Sequence, residues 1–496
     1  MSGSSGVRRD VDEDPGPRGE CPELDPRGNE CVPYDIEVPS DPVGQASSAG
    51  LDADGDVVVS IEEIEDSVLE GDSPIGPHRG TAMSALRHRT FRIVFLGFFA
   101  SNIGTWMQNV VLGAYAYDIT RSSTFVGIVI FAQLGPTLLL PMLGGLLADK
   151  VDRRKFLVLL SLEQLAFSIG LAFVVWSPTP SRILLVLMVI MVGVGSAMFG
   201  PAYSAVLPML VGREDLPGAI SLNSAQMNGS RVIGPIIGGL LYPLIGPAWI
   251  FVINAATYLF VVGSLLMVTL PELTLAKQQV SRWRELFAGI TVAREDRVVG
   301  RALVTVFLFS LLALAFIGQM PVVAAHNLSI RPSSTSYGIL YACFGTGALV
   351  GAISIGTVLA RVSKPTIVRV CLVCYSLSLT GFALTRVALA AYFVVAVVGA
   401  FYFAFITSLN TSMQARLENA VRGRVMALWM MGFGGTVGVG NLIVGPVVSA
   451  VGITNVLLFG AGVALLLAWF ADVRTRAGVT ARTNEWSKSS QLQTSP

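Results

Sequence analysis

An all-α integral membrane protein, with twelve transmembrane helices in two pseudo-symmetric halves of six, is the fold this sequence predicts. Three observations carry the prediction. Of its 496 residues, 53% are hydrophobic and only 14% charged, against roughly 25% charged in a soluble domain. Apolar runs close to the ~20 residues needed to cross a bilayer follow one another from residue 91 onward. The second half of the chain also echoes the first. A mean hydropathy of +0.65 agrees with a chain solvated mostly by lipid.

Residues 1–85 are expected to form a disordered, acidic, cytoplasmic tail. Residues 1–80 hold 20 Asp or Glu against five Lys or Arg, whereas the remainder holds 13 against 29. A segment so charged and so poor in apolar residues cannot offset the entropy of ordering. Within it, VVVSIEEIEDSVLE (57–70) has the pattern of a short amphipathic helix. No basic run followed by an apolar one begins at Met1, so the first span is expected to act as its own insertion signal. MSALRHRTF, from Met83, reads as an alternative basic start, and translation from Met83 is a second expectation.

The spans are placed at 91–118, 125–148, 155–176, 182–206, 219–245 and 248–270, then at 300–325, 335–359, 365–386, 389–412, 424–449 and 452–473. Basic residues in short loops set orientation. One set of loops holds Lys150, Arg153, Arg154, Lys155, Arg213, Arg361, Lys364, Arg416 and Arg422, with more in 271–301; the other holds only Arg121, Arg182, Arg331 and Arg386. Both termini are therefore expected in the cytoplasm of a multi-pass protein of the cell membrane. Laid over itself at an offset of 211, SSTFVGIVI (122–130) meets STSYGILY (334–341), and Gly234-Pro235 falls on Gly445-Pro446. That parallel repeat divides the chain into a first bundle (86–270), a cytoplasmic linker (271–299), a second bundle (300–474) and a C-terminal tail (475–496).

GGLLADKVDRRK (144–155) crowds six charges between two apolar runs. It resembles motif A of the major facilitator superfamily, with Gly145, Asp149, Arg153 and Arg154 in the places of the motif's Gly, Asp and basic cluster. RVIGPIIGGL (231–240) looks like motif C, the Gly-Pro element of the fifth helix associated with antiporters, here Gly234, Pro235, Gly238 and Gly239. SNIGTWMQ (101–108) and NGSRVIGP (228–235) are similar to the branch holding enterobactin-exporter-like proteins and the third group of drug:proton antiporters. The resemblance covers about residues 88–475 and implies the major facilitator fold and alternating access. It also implies a latch in which Asp149 faces the start of the eleventh helix, near Arg424 and Val425, while the cytoplasmic gate is closed. The fourth span, LLVLMVIMVGVGSAMFG (184–200), lacks the Arg that motif B places there in drug antiporters.

An ionisable side chain inside a span is a functional candidate because hydrocarbon does not solvate charge. Arg231, in the middle of the fifth span, leads, as a substrate contact or a partner of a titrating carboxylate; a structural anchor between helices is the competing role. Asn228 shares its face. Glu163 is the proton-site candidate, with an interfacial structural role as the alternative, and Asp118 closes the first span. Asn102, Trp106, Gln133, Gln319, Tyr402 and Trp429 form a pool that could line an amphipathic cavity. Gly347 and Gly351, and Gly434 and Gly438, are small-xxx-small faces expected at the interfaces between halves.

The most probable activity from these signs is proton-coupled export of a bulky amphipathic small molecule such as a drug, siderophore or lipid-like metabolite. Two alternatives stand beside it: an uptake carrier or facilitator of the same fold, and a non-transporting sensor or scaffold acting through its acidic tail. The expected partners are a small-molecule substrate, a proton and the bilayer, with no obligate protein partner. No nucleic-acid partner is expected of an acidic tail. No cofactor or metal is expected, and no enzyme: there is no G-x-x-x-x-G-K-[ST], and His78, His88 and His326 form no H-E-x-x-H. Cys371 and Cys374 read as small buried residues of a span.

Overall fold

The computed structural model describes residues 81–268, 290–291, 293–417 and 419–471. The expected amphipathic stretch 57–70, most of the linker and the C-terminal tail lie outside them. Among the described residues there are helices and no strand. In order they are α1 (Ala82–Arg87), α2 (Arg89–Thr120), α3 (Ser123–Leu134), α4 (Leu140–Lys150), α5 (Arg153–Trp176), α6 (Arg182–Leu210) and α7 (Leu216–Leu266). Then follow α8 (Arg297–Leu308), α9 (Met320–Asn327), α10 (Thr335–Gly356), α11 (Lys364–Leu384), α12 (Ala388–Gln414), α13 (Asn419–Met430), α14 (Thr436–Val451) and α15 (Ile453–Phe470). Nine stretches of the described residues are long and apolar enough to cross a membrane, with α7 counted once.

Helix breaks fall where the sequence supplies a cause. The 51 residues of α7 would run about 77 Å if straight, more than twice the hydrocarbon thickness. The chain reverses inside it at Gly246, whose φ of +78° leaves the helical region, beside Pro247. A second positive φ, +84° at Gly452, turns α14 into α15. Glycine is the residue that adopts this backbone without a Cβ penalty. Pro136 converts the join of α3 and α4 into a 3-10 turn, Gly135–Leu138. π-turns at Phe309–Ala313 and Met431–Gly435 interrupt the runs from α8 and α13.

Packing joins α2 to α7, α5 to α6 and α7, and α4 to α6; on the other side α10 and α11 pack on α12, and α11 on α15. Polar groups fasten the first set where α2 carries amides at its centre. Asn254 Nδ2 donates to Gln108 Oε1 at 2.8 Å, both buried, and the Thr105 and Tyr258 hydroxyls meet at 3.3 Å. The two sets touch through α3 against α14 and α7 against α10. These contacts are backbone on backbone at glycine: Gly239 lies on Gly338, and Gly127 on the Asn441 carbonyl and Gly445. Gly438 meets Gly135, and Gly434 approaches Thr137. Gly347 and Gly351 depart from expectation. They press on the carbonyls of Ala396 and Ala400 in α12, so they pack one set internally, because α10 turns that face away from α7.

Candidate functional site

The GGLLADKVDRRK charges have local work. Asp152 caps α5, accepting from the backbone N–H groups of Arg154 and Lys155 at 2.9 and 3.1 Å, two donors a helix start leaves unpaired. Arg153 Nη1 donates to the Ala205 carbonyl of α6 at 2.9 Å. Arg154 Nη2 donates to the Leu266 carbonyl at 2.8 Å, on the last turn of α7, where carbonyls lack an intrahelical partner. Both arginines thus staple α5 to its own set of helices. Gly144 and Gly145 are buried, and a Cβ on Gly144 would meet the Met198 backbone of α6 at 2.7 Å. The helical residue Asp149 ends α4, and its side chain lies outside what is described.

Midway along α7 before its break at Gly246, the structure gathers one cluster around Arg231. Its guanidinium carbon stands 5.3 Å from the ring centre of Trp106 on α2 and 5.8 Å from that of Phe433 in the π-turn. Tyr402 of α12 lies within electrostatic reach of the guanidinium. Trp429, 2% exposed, stacks on Phe433 at 6.4 Å. Arg231 therefore touches both sets of helices where they meet. Its Nε is buried without a hydrogen-bond partner, and among the described residues it makes no ion pair. The motif glycines make this position possible: a Cβ on Gly234 would fall 2.6 Å from Trp106 Cβ, and one on Gly238 2.9 Å from the Met107 carbonyl. Pro235 is buried between them.

The remaining candidates lie apart. Glu163 is half-buried on α5, its two carboxyl oxygens buried and without a hydrogen-bond partner, Oε2 pressed toward the Cα of Gly195 on α6. Asn228 donates to the Ser224 carbonyl at 3.0 Å within α7. Asp118 accepts from the Tyr242 hydroxyl at 3.1 Å and stands 3.8 Å from Arg121, so it ties α2 to α7 at the end remote from Arg153. Gln133 bonds Asn109. Fully buried Gln319 donates to the Ser123 carbonyl at 3.3 Å, where Ser123 donates in turn to the Gly445 carbonyl at 2.9 Å. Asn102 is half-buried on α2. Phe433 is the residue sequence reasoning missed; MGFGG, one aromatic among glycines next to Trp429, was the available sign.

The end bearing Arg121 is closed by the glycine contacts and by Ser123 meeting Ser449 at 2.8 Å. Outside this closure lies a vestibule of about 690 Å³ whose lining includes Arg121, His326, Arg386 and Thr454. Toward the end bearing Arg153, polar positions on the helices are exposed instead, among them Ser196, Ser204, Ser221, Ser224 and Thr411.

A bundle of apolar helices in two sets joined at glycine contacts, with a cation that has no ion pair among the described residues at their junction, has the architecture of a membrane transporter. Residues 80–494 match the family described as transmembrane secretion effector, and the chain belongs to that family of the major facilitator superfamily. The enterobactin exporter EntS of Salmonella typhimurium is 28% identical over 357 residues, covering 69% of this chain and 81% of its own. EntS of Escherichia coli is 27% identical over 358 residues with the same coverages. Among solved structures, the nucleoside transporter NupG superposes with a TM-score of 0.59 at 16% identity, over 78% of this chain and 99% of its own. A bacterial homolog of the human lysosomal transporter Spinster, inward-facing and unoccupied, gives 0.59 at 14%, over 77% and 95%. These last two likenesses speak for the fold.

Proposed function

We propose that the protein exports a bulky amphipathic small molecule by alternating access, coupled to a proton, with twelve spans in two halves of six and both termini in the cytoplasm. The observation that carries this reading is Arg231, touched from both helix sets just inside a closed end. The glycine contacts support the two-half arrangement. Gly127 and Gly338, related by the repeat, each lie against the Gly-Pro helix of the other half, at Gly445 and Gly239.

In this reading the end with Arg153 and Arg154 faces the cytoplasm, and the structure stands open toward it. The substrate enters among the exposed serines, reaches Arg231, and leaves through the vestibule once the glycine contacts part. Asp149 latches the cytoplasmic end in the opposite state. Glu163, a buried carboxyl without a partner, is assigned to the proton. The exporters among the relatives make siderophores the first substrate class to try.

The test is efflux of a fluorescent amphipathic dye and of a siderophore from cells expressing the protein, with and without a protonophore. Protonophore-sensitive efflux that Glu163→Gln uncouples agrees with the proposal. Accumulation of the same compounds in place of efflux would turn it toward uptake.

A further inference from the structure

Resting on that reading of Arg231 as the substrate contact, we infer that the substrate is an organic anion, held through a planar acid group on the edge of the Arg231 guanidinium. The guanidinium carbon lies over the rings of Trp106 and Phe433, at 5.3 and 5.8 Å. Its N–H donors are not taken: Arg231 has no hydrogen bond or ion pair among the described residues. The two Nη groups retain accessible surface, since Nε alone of its nitrogens is both buried and unpartnered. Aromatic faces attract a cation but do not replace the hydrogen bonds its edge loses on leaving water. A guanidinium edge offers parallel N–H donors spaced for a carboxylate or a comparable two-oxygen acid.

Of the acids within the described spans, Glu163 has its carboxyl against Gly195, and Asp118 is engaged by Tyr242 and Arg121 at the closed end. Among the described residues no acidic side chain pairs with Arg231, and a bound anion would neutralise it. The aromatic surroundings, Trp106, Phe433, Trp429 and Tyr402, suit a flat apolar body attached to the acid.

The exit side agrees independently. Among the described residues the vestibule beyond the closure is lined by Arg121 and Arg386 and by no acidic side chain. An anion released from Arg231 meets the two guanidinium groups, whereas a cation would be repelled by them.

The experiment uses the full chain in detergent micelles and a matched probe pair, 1-naphthaleneacetate and 1-naphthaleneacetamide, which share the ring and differ in charge. Binding is read by isothermal titration calorimetry with no gradient imposed, so it does not depend on transport. The expected result is at least a tenfold preference for the acid, lost in Arg231→Gln and partly kept in Arg231→Lys. Equal binding of the two probes, or a preference that survives Arg231→Gln, overturns the inference. Because Arg231→Gln could misfold, its melting curve is compared with that of the parent, and the Lys variant carries the test if the Gln variant unfolds. Failure of the export reading shows separately: a protein that prefers the acid yet moves no compound would keep this inference and lose that one.

Discussion

Substituting Gly338 by Ala should loosen the closed end. A Cβ at Gly338 would lie 2.6 Å from the carbonyl carbon of Gly239 and 2.7 Å from its Cα, where ordinary contact begins at 3.4 Å. The obstacle is backbone, so α7 and α10 must separate by roughly 0.8 Å to admit it. Overpacking of this kind costs about 1–3 kcal/mol, charged to the closed state alone because the contact is absent once the helices part. A bias of that size raises the population open at this end by about 5- to 150-fold. The assay is the labelling rate of Ser123→Cys, 6% exposed at the α3–α14 junction, by a membrane-impermeant maleimide in a background free of other cysteines. Gly347→Ala is the control. Its Cβ would strike the Ala396 carbonyl inside one half, so it should lower thermal stability without speeding the label. Equal labelling of Gly338→Ala and its parent, with transport intact, would refute the assignment of this glycine pair to the gate.

Three further outcomes are expected. Tyr242→Phe removes the hydroxyl that Asp118 accepts at 3.1 Å, and should speed the same label while leaving probe binding at Arg231 unchanged. Asp152→Ala uncaps α5 and should cost about 0.5–2 kcal/mol, seen as a lower melting temperature in detergent with binding affinity preserved. Asn254→Ala strands the buried Gln108 carbonyl, a loss of roughly 1–3 kcal/mol; an unchanged melting curve would show that water replaces the lost donor.

That the apolar runs are helices, with a break between the spans expected at 219–245 and 248–270, was legible because hydropathy and glycine spacing report on single helices. Arg231 was legible for a similar reason: a cation deep in an apolar run has few explanations. What surrounds it was not. Phe433 reaches Arg231 through a π-turn, and a π-turn shifts the face of a helix by a residue that no 3.6-residue count anticipates. Gly347 and Gly351 looked like gate glycines by spacing, yet spacing tells which residues share a face and says nothing of which neighbour that face meets. Asp152 was visible as a charge in a loop, but its role depends on the helix beginning one residue later, at Arg153.

The repeat separates what moves from what binds. At its offset of 211, packing positions recur: Gly127 is matched by Gly338 and Gly234 by Gly445. Basic loop positions recur as well, Lys150 falling on Arg361 and Arg213 on Arg424, but four candidate ionisable positions do not. Arg231 falls on Leu442, Glu163 on Cys374, Asp118 on Ser329 and Asp149 on Ala360. On the proposed reading of two halves that rock against each other, both need close-packing glycines at the junction, and duplication would serve that motion. A charge in hydrocarbon is costly wherever it sits, and one guanidinium without an acid partner suffices to hold a single anion. Phe433, Tyr402 and Trp429, all from the second copy of the repeat, then stand around a charge carried by the first copy. On this division, transplanting the charge should fail. Leu442→Arg in an Arg231→Leu background restores the net charge without Trp106 above it, and it should not recover the preference for the acid probe. Recovery would mean that the two halves are interchangeable at the binding site and that the asymmetry in charge is incidental.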